Sequence, residues 1–384
     1  MSFSDRTPGD LSLNPIAQAL EMASGRSYLD LTESNPTQCG FNYPPELLRS
    51  LSQPGNLLYE PFPFGHPEAR RAVADHLTSK GQSTETDSVV LTASTSEAYS
   101  YLFKLLANPG DSFLVSTPGY PLLDHLARLE AVELLPYPLK AEPGWPLDLA
   151  QVEKTVSLRT KGLVVVSPHN PTGSVLSASD RRALDDLCQK NGMALVLDEV
   201  FADFTYSTQP TTLFKPQALT FRLGGLSKSL GLPQLKLSWI VLEGPKDRVS
   251  KAQEKLELIA DTYLSVNGPV QKAVKDLLKF APDFQKQVLE RLQANRSLAE
   301  KALGNLPGVK VWPAQGGWYL LVELEKSGKT DEKWVIELLE KKGVLVQPGG
   351  FYDFLSGTFL VISLLPAPSV FQDGLSRIQE HLKA

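Results

Sequence analysis

Three residues of unlike chemistry each stand just after an apolar run. Lys228 lies in the small-residue loop Gly224-Gly225-Leu226-Ser227-Lys228-Ser229-Leu230-Gly231, behind a strand-like stretch over 218–222. A glycine-rich turn lets backbone approach a ligand closely, and an amine with few charged neighbours can be tuned into a nucleophile. Asn170 follows the run 162–166, in Ser167-Pro168-His169-Asn170-Pro171-Thr172-Gly173, and Asp198 closes Ala194-Leu195-Val196-Leu197. Each has a bland reading: a solvated lysine, a turn-forming asparagine before proline, a capping aspartate. An amide, a carboxylate and an amine delivered to one crevice make a site.

What would bring them together is a parallel sheet. The runs 162–166 and 194–197 are continuously apolar, as strands buried on both faces are, and helical patterns alternate with them. In open α/β sheets ligands bind beyond the carboxyl ends of the strands, where all three residues fall. The pattern predicts helices over 67–79, 96–107, 120–129, 147–157 and 177–191, with strands over 88–91, 112–116 and 132–137 between them. That order implies an α/β fold with a mostly parallel sheet covered by helices. After 239–242 the texture changes to long helical stretches, 246–281 and 282–303. Short strands (309–312, 318–323, 344–346, 359–363) then alternate with helices over 331–342 and 369–383, as in a smaller α+β module. The expected division is a large domain over 44–266 and a small domain from 1–43 and 267–384.

At these residues the chain resembles the fold-type I pyridoxal-phosphate (PLP) enzymes, specifically the class I/II aminotransferases. The matching motifs are Asn170-Pro171-Thr172-Gly173, Asp198-Glu199-Val200, and Ser227-Lys228 followed by Leu232-Pro233-Gln234-Leu235-Lys236. Tyr59-Glu60-Pro61, Pro118-Gly119-Tyr120 and Gln315-Gly316-Gly317 support them, and the likeness runs from about residue 31 to the end. The resemblance implies a PLP-dependent aminotransferase that works by a ping-pong cycle through a Schiff base on Lys228. A β-elimination lyase or a decarboxylase on the same scaffold is the alternative. It further implies that Asp198 keeps the ring nitrogen protonated, that Asn170 bonds the ring oxygen and that Tyr120 stacks on the ring. Tyr120 also reads as a core aromatic. Thr95 and Ser96, opening a helix whose positive end suits an anion, would hold the phosphate with Ser227 and Lys236. Tyr59 would reach the phosphate from a second subunit, which implies a homodimer with shared active sites.

Three positions depart from the family pattern. Phe201 stands where relatives carry a tyrosine that bonds the cofactor's phenolate oxygen. Lys236 replaces the phosphate arginine, keeping the charge without the planar fork. Val361 occupies the place of the arginine that clamps the substrate carboxylate, so either another cation enters or the substrate lacks a carboxylate there. Asn35, Val361 and Tyr319 are the candidate substrate contacts. Trp318 and Tyr319 read equally as a pocket wall or as core.

The bulk figures exclude other classes. Across 384 residues the net charge is −5, which argues against a nucleic-acid or anionic-membrane surface. Five scattered histidines offer no metal-ligand spacing, and no metal is expected. No G-x-G-x-x-G opens an early helix, against a nicotinamide enzyme. Two cysteines make no disulfide framework, and residues 1–12 lack the blocks of a signal peptide. A cytoplasmic enzyme acting on a small-molecule substrate is the expectation.

Overall fold

The computed structural model describes residues 3–207, 214–264 and 266–383. Seven strands form one sheet in the spatial order Val89–Thr92, Ser238–Glu243, Thr220–Gly225, Ala194–Asp198, Thr160–Val166, Ser112–Thr117, Glu133–Pro138. Ser238–Glu243 is antiparallel to both neighbours, and every other pair directly hydrogen-bonded to one another is parallel. Alternate residues of the central strands serve opposite faces. Val164, Val196 and Phe221 pack with Tyr101, Leu102 and Leu256 on one side. Leu163, Val165, Leu195 and Leu197 pack with Leu184 and Leu187 on the other. Helices on both faces are the reason these strands carry no polar side.

Register fixes where the functional edge lies. Val166 pairs with Asp198, so two strands end at the same level; Asp198 pairs with Leu223, and that third strand runs on in the same direction to Gly225. Asn170, Asp198 and Lys228 therefore leave the sheet along one rim.

A second, antiparallel sheet has the order Gln347–Pro348, Phe359–Ser363, Tyr319–Leu324, Val309–Val311. The N-terminal chain joins this part of the molecule. Leu29–Asp30 pairs in parallel with Val344–Leu345, and Leu31, Val344, Leu345 and Phe371 share its core. That short strand lies just ahead of a stretch that reads in sequence as loop.

The helical stretch expected over 246–281 is two helices, Lys246–Tyr263 and Gly268–Leu278. Leu264 turns left-handed (φ 55°) and ends the first. Asn267 then caps the second, its side chain accepting from Val270 N at 3.3 Å, with Pro269 in the first turn. The strand expected over 344–346 likewise divides, and Gln347–Pro348 passes to the antiparallel sheet.

Candidate active site

Asp198 ends its strand in a buried setting and uses both oxygens. Val200 N donates to Oδ1 at 3.1 Å and the Tyr99 hydroxyl donates to Oδ2 at 2.8 Å. Burial pushes its carboxyl up to about 6, with these two donors opposing the rise. Glu199 points the other way, into an ion cluster with Arg181 (2.9 Å) and Arg222 (3.0 Å), so adjacent acids have separate environments.

Lys228 lies in the one-turn helix Leu226–Ser229 that opens directly off Gly225. Any side chain at Gly225 would run into Ser238 of the neighbouring strand, which lets the loop hug the sheet end. Its Nζ sits 5.0 Å from the centre of the Trp318 ring and 5.6 Å from that of Phe201. Burial pulls the amine down to about 8, against the pull of the Asp198 charge. Much of it is therefore neutral, and nucleophilic, in mildly alkaline water.

Asn170 is buried, and its Oδ1 makes no hydrogen bond among the described residues. The turn that carries it is pinned by His169, whose ring bridges Ser116 Oγ and Thr172 Oγ1, each at 2.9 Å. Burial drops that imidazole to about 4, so it acts as a neutral strut. Gln315 N and Gly316 N both donate to Gly173 O (2.9 and 3.0 Å), tying the turn to the antiparallel sheet's leading loop. Tyr206 completes the tie through its hydroxyl, which donates to Gly317 O at 2.7 Å.

A helix start, the positive end of its dipole, lies on the same rim. Ser94 caps the helix Thr95–Leu106 by accepting from Glu97 N at 3.1 Å, while Glu97 Oε2 accepts from Ala93 N at 2.7 Å. This reciprocal pair uses Ser94. It leaves the Thr95 and Ser96 hydroxyls, both half-buried, unengaged among the described residues. Ser227 is half-buried, and Lys236 is exposed at a left-handed position (φ 51°).

The remaining candidates divide. Tyr120 is half exposed just past the strand Ser112–Thr117; burial of its hydroxyl raises the phenol, and the Asp198 charge adds to the rise. Phe201 is buried edge-on against Trp318, with ring centres 5.3 Å apart. Tyr319 is buried, and burial raises its phenol. Asn35 is half-buried beside Ser34, but its Oδ1 already caps Thr37 N at 3.1 Å. Val361 is buried in its strand. Tyr59 stands apart: it is 74 % exposed and lines a surface cavity of about 190 Å³ with Phe62, His66 and Lys272. Tyr99, His169 and Tyr206 carry no motif that would single them out in the sequence. Tyr99 looks like any apolar-face helix residue.

The sequence profile of aminotransferase class I and II matches residues 27–369. The chain belongs to this family. An alanine aminotransferase of Mycobacterium tuberculosis is 29 % identical over 360 residues, 90 % of this chain and 83 % of that one. A glutamate-pyruvate aminotransferase of Haemophilus influenzae is 26 % identical, covering 93 % and 91 %. Among solved structures, an alanine aminotransferase from Pyrococcus furiosus superposes with a TM-score of 0.88 at 24 % identity, covering 96 % and 95 %. That likeness is one of fold.

This aminotransferase is PLP-dependent, and its residues suit the cofactor. A buried amide whose Nδ2–H donors have no partner among the described residues, a buried carboxylate, an amine held near 8 and two unengaged hydroxyls at a helix start are groups that suit a phosphorylated, ring-nitrogen aldehyde with a charged ring oxygen. Among the described residues no group of histidine, cysteine or acidic side chains could hold a metal ion. Among the described residues no helix is long and apolar enough to cross a membrane.

Proposed function

We propose that the chain transfers an amino group between an amino compound and a carbonyl acceptor in two half-reactions, with Lys228 as covalent anchor and proton carrier. The observation that carries this reading is the pairing on one rim of an amine lowered to about 8 and a carboxyl raised to about 6. When bound, PLP supplies the electron sink for the pair left at the substrate's α-carbon. Asp198 holds the proton on the ring nitrogen, and Tyr99 and Val200 N fix the carboxylate for that contact. Lys228 Nζ, once displaced by substrate, takes the α-proton and returns it one position away. Phe201 and Trp318 flank that nitrogen with apolar surface and exclude water from it. Asn170 orients the ring oxygen, Tyr120 covers a ring face, and Thr95, Ser96, Ser227 and Lys236 receive the phosphate.

Tyr59 lines a cavity that includes none of these residues. Its neighbours Leu57 (93 % exposed) and Leu58 (65 %) form an apolar surface that fits a second copy. A homodimer with shared active sites, built from a large domain over 44–266 and a small domain over 1–43 and 267–384, follows from that reading. Its two free cysteines, both buried, suit the reducing cytoplasm.

The test is a half-reaction. PLP-loaded protein mixed with single amino compounds should lose its cofactor absorbance and release the matching carbonyl product. Retention of the band against a broad panel of amino acids and amines contradicts transamination.

A further inference from the structure

The antiparallel sheet turns one face toward the rim that bears Lys228, and its part around Val361 is neutral; the charged Glu323 and Lys310 lie farther along the same face, beyond Phe359. Tyr319 pairs with Ser363, Leu321 with Val361, and Gln347 with Val361. Residues directly opposite one another share a face, so Tyr319, Leu321, Ser363, Val361 and Gln347 project to the same side. Tyr319 lies against Phe201, with ring centres 6.4 Å apart, and Phe201 flanks the Lys228 amine. Tyr352 comes to the same place by a different route. Gly119 N donates to Tyr352 O at 2.9 Å and Thr117 Oγ1 donates to Asp353 O at 2.7 Å, which stitches this segment beside Tyr120.

Two side chains on this wall make a defined pattern. The Tyr352 hydroxyl donates to Gln347 Oε1. That bond orients the Gln347 amide and leaves its Nε2–H donors unengaged among the described residues. The Tyr352 oxygen keeps lone pairs to accept. A donor and an acceptor side by side match a primary amide, or a hydroxyl, on the ligand. A carboxylate has no N–H or O–H to offer the acceptor, and would meet the valine with no cation beside it. The buried and half-buried arginines nearest the sheets are engaged elsewhere. Arg222 pairs with Glu199 and Glu243, Arg181 with Glu199, and Arg291 donates to the carbonyls of Cys39 and Leu365.

We propose that Gln347 and Tyr352, beside Val361, form the specificity wall of the site and select amino compounds bearing a neutral amide or hydroxyl where a carboxylate would otherwise sit. The proposal rests on the transamination reading and names the substrate class for it. The bond chemistry is unchanged; only the group that orients the α-carbon differs.

The experiment uses the PLP-loaded enzyme and matched donors: alanine against alaninamide, and phenylalanine against phenylalaninamide. Rates of loss of the cofactor band are referred to the free-amine fraction of each donor. The wild type should favour each amide at least tenfold in rate over apparent Kd. Gln347→Leu should lose that preference while keeping the cofactor spectrum, and Val361→Arg should move the ratio toward the free acids. A wild type that favours the free acids tenfold overturns the proposal, whether or not the variants fold, because a cation must then reach the wall from elsewhere. An unaltered ratio in spectrally intact Gln347→Leu overturns it too. If no amino compound of any kind discharges the bound cofactor, transamination itself fails and the specificity wall falls with it.

Discussion

The Tyr99 hydroxyl donates to Asp198 Oδ2 at 2.8 Å, and both residues are buried. The first turns of the helix Thr95–Leu106 thus carry the free Thr95 and Ser96 hydroxyls at its start and the clamp on Asp198 just behind. On the proposed reading Tyr99 is a positioning residue, acting on the cofactor only through the carboxylate. Loss of its donor should raise the Asp198 carboxyl further above about 6. Tyr99→Phe is expected to lower kcat about tenfold, with KM for the amino donor little changed, and to shift the acid limb of the pH–rate profile up by roughly one unit. A purely structural role would leave that limb in place.

Asp198 also gives the PLP-free protein a particular pH dependence. Its folded carboxyl titrates near 6 against an ordinary 3.8. A raised carboxyl favours the folded state while protonated, and this contribution is lost as pH rises through the folded value. Asp198→Asn removes the titration. Between pH 5 and pH 8 the cofactor-free variant should therefore gain about 1–2 kcal/mol relative to wild type. Urea unfolding at the two pH values measures it. The same variant should be nearly inactive once loaded.

On the proposed reading, the buried Phe201 leaves the cofactor's phenolate oxygen one donor short. Phe201→Tyr should lower the midpoint of the absorbance titration of the PLP-loaded enzyme by about one unit, the worth of one hydrogen bond to a charged oxygen. Spectra across a pH series provide the comparison, and equal midpoints remove the explanation.

Gly231 ends the Lys228 loop at φ 62°, where a side chain would strike Phe284 and the Tyr43 hydroxyl. Tyr43 also donates to Gly231 O at 2.9 Å. Gly231→Ala should cost about 2–4 kcal/mol of stability, combining left-handed strain with overpacking. The urea midpoint should fall accordingly, and cofactor retention with it.

Much of this was readable before any coordinates. The helices Pro67–Ser79 and Asp331–Lys342 stand where periodicity puts them, the latter bounded by the Thr330 cap and a left-handed Gly343. The strand Phe359–Ser363 is as expected, because an unbroken apolar run between turn residues admits few alternatives. The shared rim of Asn170, Asp198 and Lys228 was legible because strand ends are where a parallel sheet gathers residues. What stayed hidden depends on distant partners. Leu29–Asp30 becomes a strand only because Val344–Leu345 lies beside it. Leu264 breaks a helix with a residue that ordinarily favours one. Gln347 and Tyr352 acquire meaning only through the pairing of Gln347 with Val361.

The covalent anchor is the claim on which the rest depends. Borohydride reduction of the PLP-loaded protein, followed by proteolysis and mass spectrometry of the peptides, locates the fixed cofactor directly. The account predicts the phosphopyridoxyl group on Lys228, and none on any lysine after Lys228→Ala. A reduced cofactor carried by another lysine, with the Lys228 peptide unmodified, would contradict it.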